Sequence, residues 1–293
     1  MDLKDFIIRV FCWVDDSLRP LGRLRSRGFE PGLRDSEVLT MEIVGEFLGF
    51  HTDKGIWEYF RRHWRTWFPR LPSRTSFIRQ AAQLWALKWR LQEDLSRTLG
   101  SRESRLHIVD AFPIKACGFK RSARSQVFKG DATYGYCAAK KEIYYGFQGQ
   151  LVITPSGVVT SCSVTPANVS ETRGIWDVVP GVQGMILGDK GYLGKPLQQE
   201  LRILGVDLET PLRSNMKDDR DPAFVRCLLR VRKTVETVIS QLTERFGIER
   251  TLARDRWHLT NRVARKLLAH TVGVWLNVSL GRSPLKMEGL IAA

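Results

Sequence analysis

The chain has 293 residues, room for one large domain or two ordinary ones, and its 43% hydrophobic and 26% charged content is that of a protein with a buried core. Its 46 Lys and Arg outnumber 31 Asp and Glu, a formal net charge of +15 that points to a polyanionic partner, nucleic acid well ahead of a membrane surface. No apolar run approaches the roughly 18 residues of a membrane span, and the acidic start Met1-Asp2-Leu3-Lys4-Asp5 argues against a secretory leader.

The five cysteines are scattered without a Cys-x-x-Cys pair, so neither a zinc site nor a disulfide framework is expected. Buried free thiols in a reducing cytoplasm are the expectation.

Residues 1 to about 100 read as a helical first domain. Asp35 and Ser36 are good N-caps for a helix reaching Leu48, and Gly49 to Asp53 breaks it. A second helix runs through Ile56, Trp57, Tyr59 and Phe60, so the pair is a candidate helix-turn-helix. Trp64 and Trp67, set among Arg61, Arg62 and Arg65, read as core residues before stacking platforms. Pro69 and Pro72 end this region. Ser73 caps a third long helix through Phe77, Ile78, Leu84, Leu87 and Leu91, and the boundary falls at Leu99 to Ser104.

The pattern then changes to strands at 106–112, about 143–154 and about 158–165, the last two joined by the turn Pro155-Ser156-Gly157. A short buried strand over 185–189 leads to Asp189. A helix near Lys195–Leu204, a strand near Val206–Thr210 and a charged loop from Asn215 to Pro222 follow. A long helix is expected from about Phe224 to Phe246 and a last one over Thr260–Leu280. The fold class is α+β, with residues 101–293 as a catalytic domain that includes the C-terminal helix.

Three acids stand out. Asp110 lies inside an apolar run, Leu106-His107-Ile108-Val109-Asp110-Ala111-Phe112-Pro113, and Asp189 ends another, Met185-Ile186-Leu187-Gly188-Asp189. Glu236 flanks the apolar stripe of the long helix, with Arg232 one turn behind it on the same face. Two strand carboxylates and one helix carboxylate can converge on a divalent metal pair, the arrangement that cuts and rejoins phosphodiesters. Asp110, nearest the centre, is the expected bridging ligand. No nucleophilic Ser or Cys triad is needed for that chemistry.

The local motifs Asp110-Ala111-Phe112-Pro113, Thr165-Pro166-Ala167-Asn168, Leu187-Gly188-Asp189-Lys190-Gly191-Tyr192, Val235-Glu236-Thr237-Val238-Ile239-Ser240-Gln241-Leu242 and Trp257-His258-Leu259-Thr260 resemble bacterial insertion-sequence DDE transposases, specifically the insertion-sequence nine-eighty-two family. Asp35-Ser36-Glu37-Val38-Leu39-Thr40 and Thr52-Asp53-Lys54-Gly55-Ile56-Trp57 extend the resemblance to the N-terminal region. It implies a helical DNA-binding domain followed by an RNase H-like mixed β-sheet flanked by helices. Asp110, Asp189 and Glu236 would be its metal-binding triad, two Mg²⁺ ions its cofactors with Mn²⁺ able to substitute, and double-stranded DNA its substrate.

Cleavage at element ends, strand transfer through a free 3′-hydroxyl and a homodimer or higher assembly on DNA go with it, in the bacterial cytoplasm. Tyr192 and Arg232 match in kind the residues that steady DNA in such enzymes. The Lys that the family carries seven residues after the glutamate is Thr243 here, and Gln150 stands where the family tends to have His.

Lys115, Lys120, Arg121, Arg124 and Lys129, with Lys190 and Lys233 beside the acids, are the candidate DNA contacts. Arg250, Arg254, Arg256, Arg262, Arg265 and Lys266 with Trp257 suggest a further DNA-facing helix. The rival readings are a nuclease or resolvase that cuts without rejoining, and a transposase-derived DNA-binding protein without activity.

Overall fold

The computed structural model describes residues 1–22, 30–138 and 140–292. The helical expectation for residues 23–29 lies outside the described residues. The chain divides into two compact units, Met1–Leu95 with Glu244–Ala293, and Ser96–Thr243. The division falls close to the expected boundary, but the C-terminal helix belongs with the N-terminal helices and not with the strands.

The first unit is helical. In α1 (Leu3–Leu18) the buried Phe6, Ile7, Val10, Val14 and Leu18 recur at helical spacing, so one stripe faces the core. In α2 (Asp35–Phe47) burial is nearly all round, from Ser36 through Phe47 with Asp35 and Glu37 left out. Gly49, at φ +81°, ends the segment in a conformation that glycine adopts without strain. Thr52 then caps α3 (Asp53–His63), its hydroxyl accepting from the Gly55 N–H at 3.1 Å. A Cβ on Gly45 would stand 2.6 Å from Ile56 Cγ1, so α2 and α3 pack closely at this point. Of α3 only Asp53, Ile56 and Phe60 are buried.

The third expected helix is two. After α4 (Arg74–Gln83) the Leu84 backbone leaves the helical hydrogen-bond ladder before α5 (Trp85–Thr98) begins. No proline or glycine marks that break, which is why periodicity alone reads through it. Trp64 and Trp67 pack edge to face at 4.9 Å, and Trp67 remains exposed where a core position was expected.

A buried charge network ties this unit together. The last helix, α10 (Arg256–Ser279), is buried along most of its length. Its Arg265 donates from Nε to Glu46 Oε1 at 2.6 Å and from Nη1 to Asp53 Oδ1 at 2.5 Å. Lys266 pairs with Glu46 at 2.9 Å, Arg262 with Asp53 at 2.6 Å, and Lys88 of α5 with Glu42 at 2.5 Å. Arg262, Arg265 and Lys266 are therefore not DNA contacts; each is turned inward to a carboxylate of α2 or α3. Burial pulls the Glu46 carboxyl up, but Arg265 and Lys266 outweigh it and hold the group at about 2.

The second unit carries a six-stranded sheet among the described residues. Its strands are β1 (Leu106–Gly118), β2 (Thr133–Cys137), β3 (Glu142–Ile153), β4 (Val159–Pro166), β5 (Gly184–Leu187) and β6 (Val206–Glu209). β3 pairs antiparallel with β1 on one edge, and its other edge is shared by β2 and then β4. β5 and β6 continue the sheet in parallel beyond β1. The order β4-β3-β1-β5-β6, with an antiparallel meander followed by parallel strands, is the RNase H-like arrangement that the sequence implied.

β1 runs six residues past its expected end at Phe112, and β2 was not expected at all. The predicted turn at Gly157, φ +83°, closes the β3–β4 hairpin, with Thr154 N–H donating to Val158 O at 2.9 Å. Short helices α6 (Phe119–Ser122) and α7 (Glu171–Gly174) and the longer α8 (Lys195–Ile203) and α9 (Pro222–Ser240) complete the unit. Val109, Val152, Ile186, Val206 and Leu208 from the sheet close a core with Ile175, Val178, Leu197 and Leu201. The five cysteines are unpaired, and Cys12 and Cys227 are exposed instead of buried. Among the described residues no helix is long and apolar enough to cross a membrane.

The charge network sets the stability of the first unit. Arg265→Met would remove the cation that Glu46 and Asp53 share, leaving Lys266 and Arg262 as their remaining partners, and lower unfolding stability by about 3–5 kcal/mol in urea titration. The folded Glu46 value lies below its ordinary 4.5, so its stabilisation is present above that pH and is lost as pH falls toward about 2. The melting temperature should fall through this window, and Glu46→Gln should remove part of the slope.

Candidate active site

The sheet register brings the two aspartates level. Ile108 of β1 pairs with Leu187 of β5 in a parallel ladder, and Asp110 and Asp189 each lie two residues further on. In β1 two residues restore the same face, so Asp110 leaves the sheet on the side of Ile108. β1 continues past this point, with Asp110 opposite Leu151 of β3. β5 instead stops at Leu187, where Gly188 N–H donates to Glu209 O at 2.9 Å. Asp189 then caps a single turn, Lys190–Tyr192, its Oδ1 accepting from the Gly191 N–H at 2.6 Å.

Glu236 arrives from α9, which packs against β1. Arg232, one turn earlier, donates to Glu236 Oε1 at 3.0 Å and reaches Asp110 Oδ2 at 3.5 Å. The guanidinium thus lies between a strand carboxylate and the helix carboxylate. Asp110 Oδ1 also accepts from its neighbour's N–H, Ala111, at 2.8 Å. Burial pushes the Asp110 carboxyl up to about 6, and the charges of Asp189 and Glu236 add to it against the pull of Arg232.

A fourth carboxylate stands in the same place. Glu171, the first residue of α7, was not singled out in the sequence, where Ser170-Glu171-Thr172 reads as an ordinary helix start with an acid in the first turn. A Cβ on Gly191 would stand 2.5 Å from Glu171 Oε2 and 2.9 Å from Asp189 Oδ1. A side chain at 191 would have to push these carboxylate ends aside. Burial, then Asp189 and Asp110, push the Glu171 carboxyl up to about 7. The signal in the sequence was its place just after Thr165-Pro166-Ala167-Asn168, at the end of a strand that lies two strands from Asp110.

Gln150 and Tyr192 hold this corner. Gln150, buried on β3 opposite Ala111, donates from Nε2 to Glu171 O at 3.0 Å and to Tyr192 Oη at 2.7 Å. Its amide fixes the start of α7 and the Asp189 turn at once. Tyr192 is fully buried, so it is a support for the site and not a phosphate contact. Lys115 is also withdrawn: its ammonium is paired with Glu142 and little exposed. Lys120, Arg121, Arg124, Lys129, Lys190 and Lys233 are exposed.

The donors are all carboxylate oxygens, the type that hard divalent cations take. Among the described residues, no three Asp, Glu, His or Cys close round a common point. Arg232 spans Asp110 and Glu236 in that role, a protein cation lying between two of the acids.

The transposase DDE domain family matches residues 100–256. No curated protein matches the chain. Among solved structures, piggyBac transposase in a cryo-EM synaptic complex with hairpin DNA is similar over 98% of this chain and 76% of that chain, at 13% identity and a TM-score of 0.49.

The raised carboxyls carry a pH signature. Asp110 and Glu171 hold protons in the folded state above their ordinary values of 3.8 and 4.5, up to about 6 and about 7. Their contribution to stability is present below those ordinary values and is lost as pH rises through the folded ones. In chelator, the melting temperature should therefore fall between about pH 4 and pH 7, and Asp110→Asn or Glu171→Gln should flatten the slope and raise it at pH 8. A steeper slope in either variant would mean that the acids do not repel.

Proposed function

Because the chain belongs to the transposase DDE domain family, we propose that it is a DNA transposase that cleaves element ends and transfers the freed strand to target DNA. What supports this reading is the family match, together with Arg232 bonded to both Asp110 and Glu236 and Asp189 placed just past the end of the strand that pairs with β1. The family generally works with divalent metal, and the oxygen-only donor set fits Mg²⁺, with Mn²⁺ as substitute.

When bound, two such ions would neutralise charge at the scissile phosphate and activate first a water and then the 3′-hydroxyl. Asp110, Asp189 and Glu236 would be the residues to hold the ions. Arg232 would leave the carboxylates and turn its guanidinium to a DNA phosphate, for which its paired N–H donors are suited. Glu171, poised near neutral pH beside Asp189, is suited to accept a proton from the attacking hydroxyl. Gln150 holds its backbone while it does so. In the first reaction water oxygen bonds phosphorus and the 3′-oxygen leaves as a hydroxyl. In the second that hydroxyl bonds a target phosphorus, and the target's own 3′-oxygen leaves.

Lys120, Arg121, Arg124, Lys129, Lys190 and Lys233 are the proposed backbone contacts for double-stranded DNA, the terminal inverted repeats and the target. The exposed Arg61 and Arg62 of α3 suit a reading helix in the helix-turn-helix. A homodimer or larger assembly in the bacterial cytoplasm completes the proposal.

Asp110→Asn, Asp189→Asn and Glu236→Gln should each lower metal-dependent nicking of the element's own ends by about 100-fold or more, since even groups that only support a metal ligand cost 10–100-fold. DNA binding should persist in all three. Mg²⁺ and Mn²⁺ should support cleavage and Ca²⁺ little, for want of tight octahedral geometry. A strand-transfer assay separates the transposase from a nuclease on the same fold: joined products are expected, and nicks alone would favour the nuclease.

A further inference from the structure

The first unit carries a groove that the catalytic reading does not use. It has a volume of about 530 Å³ and lies between one face of α4 and the first turn of α10. Arg74, Ile78 and Arg79 line it from α4, and Trp257 and His258 from α10. No carboxylate is among its lining residues, although Asp255 lies just behind, bonded to the His258 ring at 2.8 Å. Arg74 and Arg79 are exposed.

Trp257 is the unusual member. It is 54% exposed, yet its indole N–H donates to Ala82 O at 2.7 Å. The ring is thus pinned at its polar edge while much of its surface stays open to solvent. The indole is therefore held in place while its open surface is free to meet a partner. A fixed, open indole beside two guanidinium groups offers a stacking surface and phosphate donors together.

Within the proposed DNA activity, we propose that this groove binds a single DNA strand, with phosphates on Arg74 and Arg79 and an unpaired base stacked on Trp257. The volume is in the range of pockets for small ligands, about 300–1,000 Å³, enough for a nucleotide. In a duplex the base faces are already stacked, so only an unpaired base can use the indole. The net charge of +15 supplies the long-range attraction.

The test is fluorescence anisotropy of the full chain in chelator, which keeps catalysis silent, with an oligothymidine strand and a blunt duplex at several salt concentrations. The Arg74→Ala/Arg79→Ala double variant should bind the strand more weakly and reduce its log–log salt slope by about 1.4, as loss of two single-strand phosphate contacts requires. Trp257→Ala should weaken strand binding by roughly 5- to 150-fold, the range for one base–aromatic stack. Trp257→Phe, which keeps a ring, should retain most of the affinity and shows that a loss in the alanine variant is not misfolding.

Ultraviolet crosslinking of 5-iodouracil-substituted strand should map to the peptide containing Trp257. Wild-type affinity and slope in the variants would overturn the groove and leave the transposase reading standing. An equal loss on blunt duplex would overturn the single-strand assignment. A wild-type chain that binds no DNA would overturn both readings.

Discussion

Like charge gathered around the buried carboxyls of Asp110 and Glu171 is the condition on which the second unit turns. Two unit charges about 5 Å apart repel by about 3 kcal/mol at an effective dielectric constant near 20. That is a large share of a typical folding stability of about 5–15 kcal/mol. Hydrophobic packing beneath the sheet must carry this load, and the cluster around Val109, Val152 and Ile186 lies directly under the strands that bear the acids. Arg232 offsets part of the repulsion between Asp110 and Glu236. Protons on Asp110 and Glu171 relieve more. What remains is a site that gains stability from any cation placed in it.

The first unit handles buried charge in the opposite way. There each carboxylate of Glu42, Glu46 and Asp53 has a cation of the same unit against it, and the partners come from α5 and α10, far away in sequence. Such a network adds little net stability over apolar packing. It specifies one arrangement of helices, because a shifted helix would leave several charges unpaired in the interior. The same chemical groups thus form a lock in one unit and an unfinished site in the other. The difference is whether the chain supplies all of the counter-charge.

The sequence made the elements that carry the three candidate acids legible because each acid had a distinctive apolar frame. A strand run around Asp110, another before Asp189 and a helical stripe beside Glu236 fix secondary structure and facing residue together. Glu171 was not legible, since nothing local separates it from any acid that begins a helix. Its position depends on the pairing of β4 with β3 and of β3 with β1, a relation between segments and not within one. Gln150 looked only like a departure from a family pattern, and its bonds to Glu171 and Tyr192 give it a reason. Arg262, Arg265 and Lys266 misled because a basic helix reads as solvent-facing unless its buried partners are known. The break at Leu84 left no trace in composition.

The ion network of the first unit also has a historical consequence. Lys88 and Glu42 sit in different helices, α5 and α2, yet neither tolerates water or solitude. A substitution of Lys88 leaves Glu42 with only the more distant Arg265, and one of Glu42 leaves Lys88 buried among neutral acceptors, so single-step replacement passes through a less stable intermediate. Related chains should therefore exchange the two together, for a reversed pair or for two apolar side chains. Positions 46, 53, 265 and 266 should drift as a block for the same reason. The slow-moving part of this molecule need not be confined to the residues that touch DNA.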